Sequence, residues 1–288
     1  MKRVTIISLF LLVFPLFSCN TKSDDGKTDT GDVRASVMVM SFNVRFGTAQ
    51  EAKPENNWVN RRDACCEMIN SIRPMMMGVQ ELDKGQRDYI IGKCPDYDVF
   101  GRPCDNSEAE SEQTAIFYLR DSISVIERGM IWLTDTPGVM SRLPSTNHYR
   151  TATWVKARHI RSGKVFFHIN THLDNKSSEV REAEMPVLLN FIAARCGNLP
   201  VVLTADWNTD DDDKIFDELF TSFKDARYTA PQGDRGPTFN MFSSSNLRLD
   251  HIFYRGFDSC DKFAVERRSW QGHTYISDHY PIYAILNL

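Results

Sequence analysis

The sequence lacks the short motifs that mark several large classes of enzyme. It contains no phosphate-binding P-loop, no glycine-rich dinucleotide fingerprint and no G-x-S-x-G nucleophile motif. It also contains no internal repeat. These absences argue against a P-loop nucleoside triphosphatase, a dinucleotide-dependent oxidoreductase, a serine hydrolase of the G-x-S-x-G type and a repeat protein.

Basic charge is scarce as well. The 34 lysines and arginines are outnumbered by 38 aspartates and glutamates, and no long basic run occurs. Bulk electrostatic capture of nucleic acid is therefore not indicated, and only a local basic patch could bind a polyanion. The 7 cysteines match the spacing of no zinc module. Cys65 and Cys66 fall in a helical stretch, where we expect them to pack in the core.

Residues 1–19 have the features of a secretory leader. Lys2 and Arg3 precede an apolar run, and the small residue Ser18 stands before the expected cleavage point. The run is too short for a comfortable membrane span. The ending "LFSC" resembles a bacterial lipobox, in which Cys19 would be lipidated and become the mature N-terminus. An ordinary signal peptide with an incidental cysteine is the alternative.

The lipobox resemblance implies an exported protein that acyl chains anchor to the bacterial outer membrane, facing the periplasm or the cell surface. Residues 20–35 are polar and rich in Asp, Thr and Gly, which predicts a flexible tether. Residues 36–288 are then expected to form one domain. Alternating and short apolar runs predict many strands, and "WVNRRDACCEMINSIRP", "EVREAEMPVLLNFIAARC" and "DDDKIFDELF" predict helices. This mixture predicts sheets covered by helices rather than a regular βαβ repeat.

Polar side chains recur where the apolar strands end. Each one alone could be a turn residue, a helix cap or a satisfied histidine. The members are Asn43, Glu81, His172, Asp174, Asp206, Asn208, Asp250, Asp278 and His279. Their repetition predicts that loops at one edge of the sheets gather them into a single polar cleft. Hard oxygen donors suit Mg²⁺, Mn²⁺ or Ca²⁺, and nearby histidines suit phosphate, so the set predicts metal-assisted hydrolysis of a phosphate ester.

The order of these residues carries a family resemblance. The segments are "SFNVR", "GVQEL", "NTHLD", "ADWN", "LDHIF" and "SDHYP". Together they resemble the endonuclease/exonuclease/phosphatase superfamily, which includes deoxyribonucleases, abasic-site endonucleases, neutral sphingomyelinases and inositol polyphosphate phosphatases. The resemblance covers essentially residues 36–288. It implies an α/β (α+β) fold, a four-layer α/β sandwich in which two mixed β-sheets lie face to face and helices flank them.

The resemblance also implies which residues hold the metal and the water. Glu81 would be the principal metal ligand, with Asn43 and Asp278 beside it. The ion would be Mg²⁺, with Mn²⁺ or Ca²⁺ as alternatives. Asp206 and Asn208 would orient the attacking water, and the identity of the general base stays open between them and other groups.

The phosphate contacts follow from the same resemblance. His279 would contact the phosphate, and Asp250 would fix its ring and tautomer. His172 would bind the phosphate or assist the leaving group. In "SEQTAIFY", Glu112 stands where the deoxyribonuclease branch has a glutamate that pairs with this histidine, although it could equally be an exposed acid. Arg150 in "YRTATW" resembles a family arginine near the phosphate.

Three positions depart from the usual family pattern, and one acid has only a supporting role. Ala205 replaces a glycine before Asp206, Asn175 stands where near relatives often carry histidine, and His251 stands where an aromatic residue is common. None of these deletes a central role, so we expect activity, and the departures leave the substrate preference and the metal spacing open. Asp174 is expected to support the phosphate site.

The sequence therefore predicts an exported, lipid-anchored phosphodiesterase, phosphatase or nuclease-like enzyme, a phosphoric ester hydrolase that acts as a monomer. Its substrate could be a small molecule, a lipid headgroup, a glycan or a nucleic acid. The alternative is a surface lipoprotein that kept the fold, lost turnover and binds a phosphorylated or glycan ligand.

Overall fold

The computed structural model describes residues 35–107 and 111–288 of the chain. The predicted leader, the predicted lipidation site Cys19 and all of the predicted tether except residue 35 lie outside the described residues. Within the described part, no helix combines the length and the apolar character that crossing a membrane would need.

The first sheet has seven strands, which come from both ends of the domain. They are β1 Ser36–Asn43, β2 Met76–Leu82, β3 Tyr97–Phe100, β4 Gln113–Leu119, β10 Gln232–Gly233, β12 Ser259–Val265 and β13 Ile282–Asn287. Their order across the sheet is β10-β12-β13-β1-β2-β4-β3. Strand β1 is parallel to β2 and antiparallel to β13, so the sheet is mixed.

The second sheet has six strands from the middle of the chain. They are β5 Ile123–Trp132, β6 Thr151–His159, β7 Val165–His172, β8 Val201–Asp206, β9 Lys224–Asp225 and β11 Asp250–Arg255. Their order is β5-β6-β7-β8-β11-β9. Strands β7 and β8 are parallel, whereas β8 and β11 are antiparallel, so this sheet is mixed as well.

The helices are α1 Trp58–Ile72, α2 Lys84–Lys93, α3 Ser178–Cys196, α4 Phe216–Phe220 and α5 Ala226–Thr229, together with a 3₁₀ turn at Pro54–Asn56. Helices α1 and α3 connect parallel strands, α1 to α4 cover the outer faces of the sheets, and α5 packs against the cluster between the sheets. Helix α2 begins at a capping box, because Asp83 accepts from the backbone N–H of Gln86 while the Gln86 side chain accepts from that of Asp83. Helix α3 begins at Ser177, whose hydroxyl accepts from the N–H of Val180 at 3.3 Å.

Three apolar clusters hold the layers together. One lies between the sheets and joins Val37 and Val39 of β1 to Val202 of β8. A second packs α1 and α2 onto the outer face of the first sheet, and buried Cys65 lies in it as expected. A third packs α3 and α4 onto the outer face of the second sheet. The order helix, sheet, sheet, helix confirms the predicted four-layer α/β sandwich.

One predicted helix forms in full and another is shorter than expected. Helix α3 covers the predicted stretch and continues through Pro186, because this residue lies on the exposed side of the helix, where water can hydrate the carbonyl that proline leaves unpaired. The stretch "DDDKIFDELF" forms only the short helix α4. Asp211 instead pairs with Arg248, and Asp213 accepts from Thr209 and from the N–H of Ile215.

Candidate active site

Strand alternation directs polar side chains into the gap between the two sheets. Val39 packs between the sheets, so Asn43, four residues later, faces the same gap at the end of β1. Asp206 follows Val202 in the same way at the end of β8. In the register of the second sheet, His172 and Asp250 lie directly opposite Asp206 on its two sides. The strands therefore deliver these side chains to one edge of the gap.

Glu81 reaches this edge by breaking the alternation. Met76 faces the gap and the Gln80 side chain reaches across it, so a regular strand would turn Glu81 toward the helices instead. The pairing of β2 with β4 shifts register between Val79 and Leu82, and Glu81 has a φ of 54°. A bulge with a left-handed residue redirects the side chain, and such strained conformations concentrate at functional sites.

Asn43 links the carboxylates of the two sheets. Its Nδ2 donates to Oε1 of Glu81 at 3.0 Å and to Oδ2 of Asp206 at 2.8 Å. The backbone N–H of Arg45 donates to its Oδ1 at 2.9 Å, and the N–H of Phe46 donates to Oε2 of Glu81 at 3.0 Å. Glu81 and Asp206 thereby accept hydrogen bonds from the same nitrogen, although they belong to different sheets.

His279 is held by a carboxylate on one side and faces another. Its Nδ1 lies 2.8 Å from Oδ2 of Asp250, and its Nε2 lies 3.4 Å from Oδ2 of Asp206. Because a carboxylate can only accept, Asp250 fixes the proton on Nδ1. Burial lowers the pKa of His279, but the negative charges of Asp250 and Asp206 outweigh it and raise the pKa well above its usual value.

His172 is also held by one carboxylate and faces Asp206, on the side of Asp206 away from Asp250. Its Nδ1 lies 2.6 Å from Oε1 of Glu112, and its Nε2 lies 3.6 Å from Oδ2 of Asp206. Nη1 of Arg150 lies 3.4 Å from Glu112 and 2.9 Å from Nδ1 of His172. Burial raises the pKa of Glu112, but the charges of His172 and Arg150 outweigh it and lower the pKa to about 2. Glu112 is thus a partner of the histidine.

Two further residues complete the edge. Asn208, with a φ of 54°, donates its N–H to Oδ1 of Asp206 at 3.0 Å and its Nδ2 to the carbonyl of Leu173 at 2.9 Å. Asp278 lies on the loop before β13, with Oδ2 3.6 Å from Nη1 of Arg45. Burial raises the pKa of Asp278 to about 6, although His279 acts in the opposite direction.

These residues line one cleft with two adjoining lobes. The catalytic lobe, of about 340 Å³, is lined by Glu81, Asp206, Asn208, Asp278 and His279, with Phe239, Leu247 and Leu249 on its apolar wall. The outer lobe, of about 350 Å³, continues toward Glu112 and Arg150. Arg45, Glu81, His172 and Asn175 line both lobes, so the two spaces are connected.

Among the described site residues, Asn43 and Asp250 do not line the cleft but hold Asp206 and His279, which do, whereas Asp174 contacts none of the catalytic groups. Its Oδ2 accepts from Thr146 at 2.5 Å, and its Oδ1 accepts from the N–H groups of Lys176 and Ser177 at 2.9 Å each. It therefore ties two neighbouring loops together. Sequence position placed it two residues after His172, but the chain has left the strand by then.

The unusual residues at the ends of β8 and β11 fit their surroundings. The methyl group of Ala205 is buried in the cluster beneath α3 and α4. His251 stacks on Phe253 with a ring separation of 5.6 Å and an interplanar angle of 19°. Its Nδ1 also pairs with Asp225 at 2.7 Å. The histidine thus keeps the packing role of an aromatic residue.

A polar network joins the two sheets directly beneath the cleft. Nε2 of Gln80 donates to Oδ1 of Asn170 at 2.6 Å, and Oγ1 of Thr204 donates to the same oxygen at 3.0 Å. Nδ2 of Asn170 donates to the carbonyls of Val79 and Ala115 at 2.9 and 3.0 Å. All these groups are buried, and their bonds fix one sheet against the other.

The donor set of the catalytic lobe fits a divalent cation. Glu81, His172 and Asp206 each offer a ligand atom within 4.8 Å of the others. Asp278 adds a third carboxylate to the lobe, and Arg45 is its only lining arginine within the described residues. Buried carboxylates in excess of fixed cations, together with an amide, are the hard-oxygen environment that Mg²⁺ and similar ions prefer.

Fold and site together define a class of protein. A four-layer sandwich in which carboxylates and imidazoles meet at one edge of the gap between the sheets is the arrangement expected for α/β-sandwich hydrolases that act on phosphoesters. Family comparison makes the assignment specific. The chain belongs to the Endonuclease/Exonuclease/phosphatase family, whose model matches residues 40–279. The predicted superfamily is thereby confirmed, and membership supports hydrolysis of phosphoesters.

Similar proteins come from bacteria and from a virus. An endonuclease/exonuclease/phosphatase from Bacteroides vulgatus is 26% identical, with 88% of this chain and 100% of that chain covered and a TM-score of 0.82. A mannosyl-6-phosphatase from Bacteroides thetaiotaomicron is 25% identical, with coverage of 87% and 99% and a TM-score of 0.79. An uncharacterized protein of Acanthamoeba polyphaga mimivirus is 24% identical over 268 residues, or 86% of this chain and 99% of the relative.

Proposed function

We propose that the protein is a metal-dependent phosphoester hydrolase in which water attacks phosphorus. One observation carries this proposal. Asp206 lies between two imidazoles, 3.4 Å from Nε2 of His279 and 3.6 Å from Nε2 of His172. Each imidazole has its Nδ1 held by a separate carboxylate, so its Nε2 is left to face the cleft. A phosphoryl group in the catalytic lobe would meet both rings.

Glu81, Asn43 and Asp278 are the residues proposed to hold the cation. The carboxylates of Glu81 and Asp278 both line the catalytic lobe, Asn43 donates to Glu81 at 3.0 Å, and the bulge at Glu81 turns its carboxylate toward the lobe. A divalent cation at this position neutralises charge that develops on phosphoryl oxygens. Asn43 would bind the cation through Oδ1, which accepts from the N–H of Arg45, while its Nδ2 keeps donating to the two carboxylates.

Asp206 and Asn208 are proposed to position the attacking water. The N–H of Asn208 fixes Oδ1 of Asp206, which leaves Oδ2 directed at the cleft. A water held by Oδ2 can pass a proton to this carboxylate as it attacks. The rigid turn at Asn208, anchored to the carbonyl of Leu173, keeps the acceptor oxygen in place.

His279 and His172 are proposed to bind the phosphoryl oxygens and the leaving oxygen. Both rings are buried beside carboxylates, and the positive form of each is stabilised by its partner, Asp250 or Glu112. The Nε2–H of either ring can donate to a phosphoryl oxygen, and the one nearer the leaving oxygen can protonate it. Arg150 keeps Glu112 ionised beside His172.

The test is hydrolysis of p-nitrophenyl phosphate and bis-p-nitrophenyl phosphate by protein lacking residues 1–19. The relative named as a mannosyl-6-phosphatase supports including a monoester in the assay. Turnover should require added Mg²⁺ or Mn²⁺, stop with EDTA and return when metal is restored. Asp206→Asn should abolish it, whereas Asn190→Ala, on the exposed side of α3, should not. Turnover that survives EDTA would contradict metal dependence, and the absence of turnover on both esters would contradict the proposed reaction.

Export and lipid anchoring are a separate part of the proposal. They rest on the leader and on Cys19, which precede the described residues. In a bacterial host the full chain should partition into the detergent phase of Triton X-114, whereas Cys19→Ala should partition into the aqueous phase. Protease treatment of intact cells would show whether the domain faces the periplasm or the surface. Identical partitioning of the two forms would contradict lipidation.

A further inference from the structure

The outer lobe of the cleft is a separate binding space next to the reacting groups. Besides Arg45 and the proposed site residues, its lining consists of Phe46, Cys104, Asp105, Asn147, His148, Tyr149 and Asn175, of which Asn175 also lines the catalytic lobe. Its volume of about 350 Å³ is at the small end of ligand pockets, which suits one hexose-sized unit better than a polymer strand. A phosphoryl group in the catalytic lobe would leave its alcohol pointing into this space.

The arginines that line the outer lobe are already paired with carboxylates. Nε of Arg45 lies 2.8 Å from Glu51, and its Nη1 lies 3.6 Å from Asp278. Arg150 is paired with Glu112. Among the lining residues, which all lie in the described part of the chain, no lysine occurs. Nucleic acid strands and polyphosphorylated ligands need free cations for their additional phosphates. The lobe therefore favours an alcohol that carries no second phosphate.

Asp105 adds a carboxylate to the lobe, and its Oδ1 accepts from the N–H and the hydroxyl of Ser107. The other polar groups of the lobe are neutral donors and acceptors. The Asn175 side chain, the Tyr149 hydroxyl and the His148 imidazole form no hydrogen bond with other described residues. Burial and the charge of Arg150 lower the pKa of His148, so its neutral ring offers one donor and one acceptor. An alkyl or aryl alcohol would leave these groups without partners, whereas hydroxyl groups can both donate and accept.

The two loops that carry these groups are fixed to each other. Thr146 precedes Asn147, His148 and Tyr149, and its hydroxyl donates to Asp174 at 2.5 Å while accepting from the N–H of His148 at 3.1 Å. Asp174 precedes Asn175 and also holds the following turn. Thr146 and Asp174 are both buried. They are positioning residues that set the spacing between the two polar walls of the lobe.

We propose that the outer lobe binds the alcohol part of the substrate and that this part is a neutral polyol, so that the enzyme acts on a phosphorylated sugar or a related polyol phosphate. This inference rests on the proposed phosphoester hydrolysis. Phe46 and Tyr149 offer ring faces for the C–H groups of a sugar, and Asn147, His148 and Asn175 offer hydrogen bonds to its hydroxyls.

Steady-state kinetics on a panel of substrates would test the proposed preference for polyol phosphates, with Mg²⁺ present and phosphate release measured. The panel contains glucose 6-phosphate, mannose 6-phosphate, p-nitrophenyl phosphate, bis-p-nitrophenyl phosphate and a single-stranded oligonucleotide. We expect kcat/KM for at least one hexose 6-phosphate to exceed that for p-nitrophenyl phosphate at least about ten-fold, since the hydroxyls pair with groups that the aryl ester leaves unpaired.

Matched variants would locate the preference. Asn175→Ala and Tyr149→Phe should each reduce the ratio of the two kcat/KM values about ten-fold, the scale of one lost hydrogen bond. Asn190→Ala should leave the ratio unchanged. Thr146→Val should raise KM for the hexose 6-phosphate more than it changes kcat, because it frees the loop before Asn147.

The outcomes separate this inference from the proposed function. If no ester is turned over with metal, the proposed function fails. If p-nitrophenyl phosphate is hydrolysed without a preference for hexose 6-phosphates, or if the oligonucleotide is preferred, only the polyol inference is overturned. A preference that Asn175→Ala and Tyr149→Phe both leave intact would also overturn it, since the outer lobe would then not be its source.

Discussion

Glu184 should make the protein less stable as the pH rises from 5 to 8. This residue of α3 is 1% exposed, and its Oε2 accepts only the backbone N–H of Asp174, at 3.0 Å. Burial raises its pKa from 4.5 to about 7, and the charge of Asp174 adds to this effect. The same N–H and the positive charges of Arg150 and His172 act in the opposite direction without cancelling it.

The sign and size of the effect follow from proton binding. Between pH 4.5 and 7 the folded state holds the Glu184 proton more tightly than the unfolded state, so stability falls as pH rises through this range. A change from 4.5 to about 7 corresponds to about 3 kcal/mol, because one pH unit is worth about 1.4 kcal/mol. For a domain of this size that equals roughly 6–12 °C in Tm.

Thermal unfolding of wild type and Glu184→Gln at pH 5 and pH 8 would measure how the contribution of Glu184 to stability changes with pH. At pH 5 both side chains are neutral, so their Tm values should be similar. At pH 8 the variant should be more stable by the amount given above, because wild type then buries a charge. Glu182→Gln, whose carboxylate pairs with Lys214 at the helix surface, should not reproduce the difference. A constant Tm difference between wild type and Glu184→Gln at both pH values would refute the reasoning.

Three other changes test the site and the fold. His279→Ala should reduce kcat/KM for p-nitrophenyl phosphate at least about 100-fold, while His159→Ala, at the far end of β6, should not; equal rates would show that His279 is misassigned. Glu81→Gln should raise the Mg²⁺ concentration needed for half-maximal rate about ten-fold or more in a metal titration, and an unchanged titration would remove Glu81 from the ligand set. Gly78→Ala would place a Cβ 2.0 Å from Oγ1 of Thr204, so denaturant unfolding should show that the free energy of unfolding falls by about 1–3 kcal/mol. An unchanged free energy of unfolding would show that the sheets can move apart at this position without cost.

Much of the site could be predicted, because strand alternation indicates which way a side chain points and the order of the motifs along the chain indicates the family. Asn43, His172 and Asp206 each end a strand on the face that looks into the gap between the sheets. Because side chains alternate along a strand, the apolar residues that precede these three residues indicate that they face the gap. Chain order identified Glu81 as a site residue, but alternation could not predict the direction of its side chain, because a bulge and a left-handed φ reverse it. Such backbone strain leaves no periodic signal in the sequence.

Two features of the structure were not predicted from the sequence. Helix α2 was not among the expected helices, since Gly85 and Gly92 weaken its helical propensity. The capping-box signature formed by Asp83 and Gln86 was nevertheless readable. The loop that carries Asn147 and its neighbours has no periodicity at all, and only its tertiary anchor to Asp174 places it beside the cleft. Loops of this kind become interpretable only with coordinates.

The bonds among Gln80, Asn170 and Thr204 have a consequence for how this scaffold could diversify. These buried hydrogen bonds fix the position of one sheet relative to the other. The distance between Glu81 and Asp206 is therefore set by the interior of the protein and does not depend on the surface loops around the cleft. The loops around the cleft can then change in length and sequence without altering that distance. Replacing residues 142–149 with a different loop should therefore change which alcohol is accepted, while the proposed catalytic residues keep their positions.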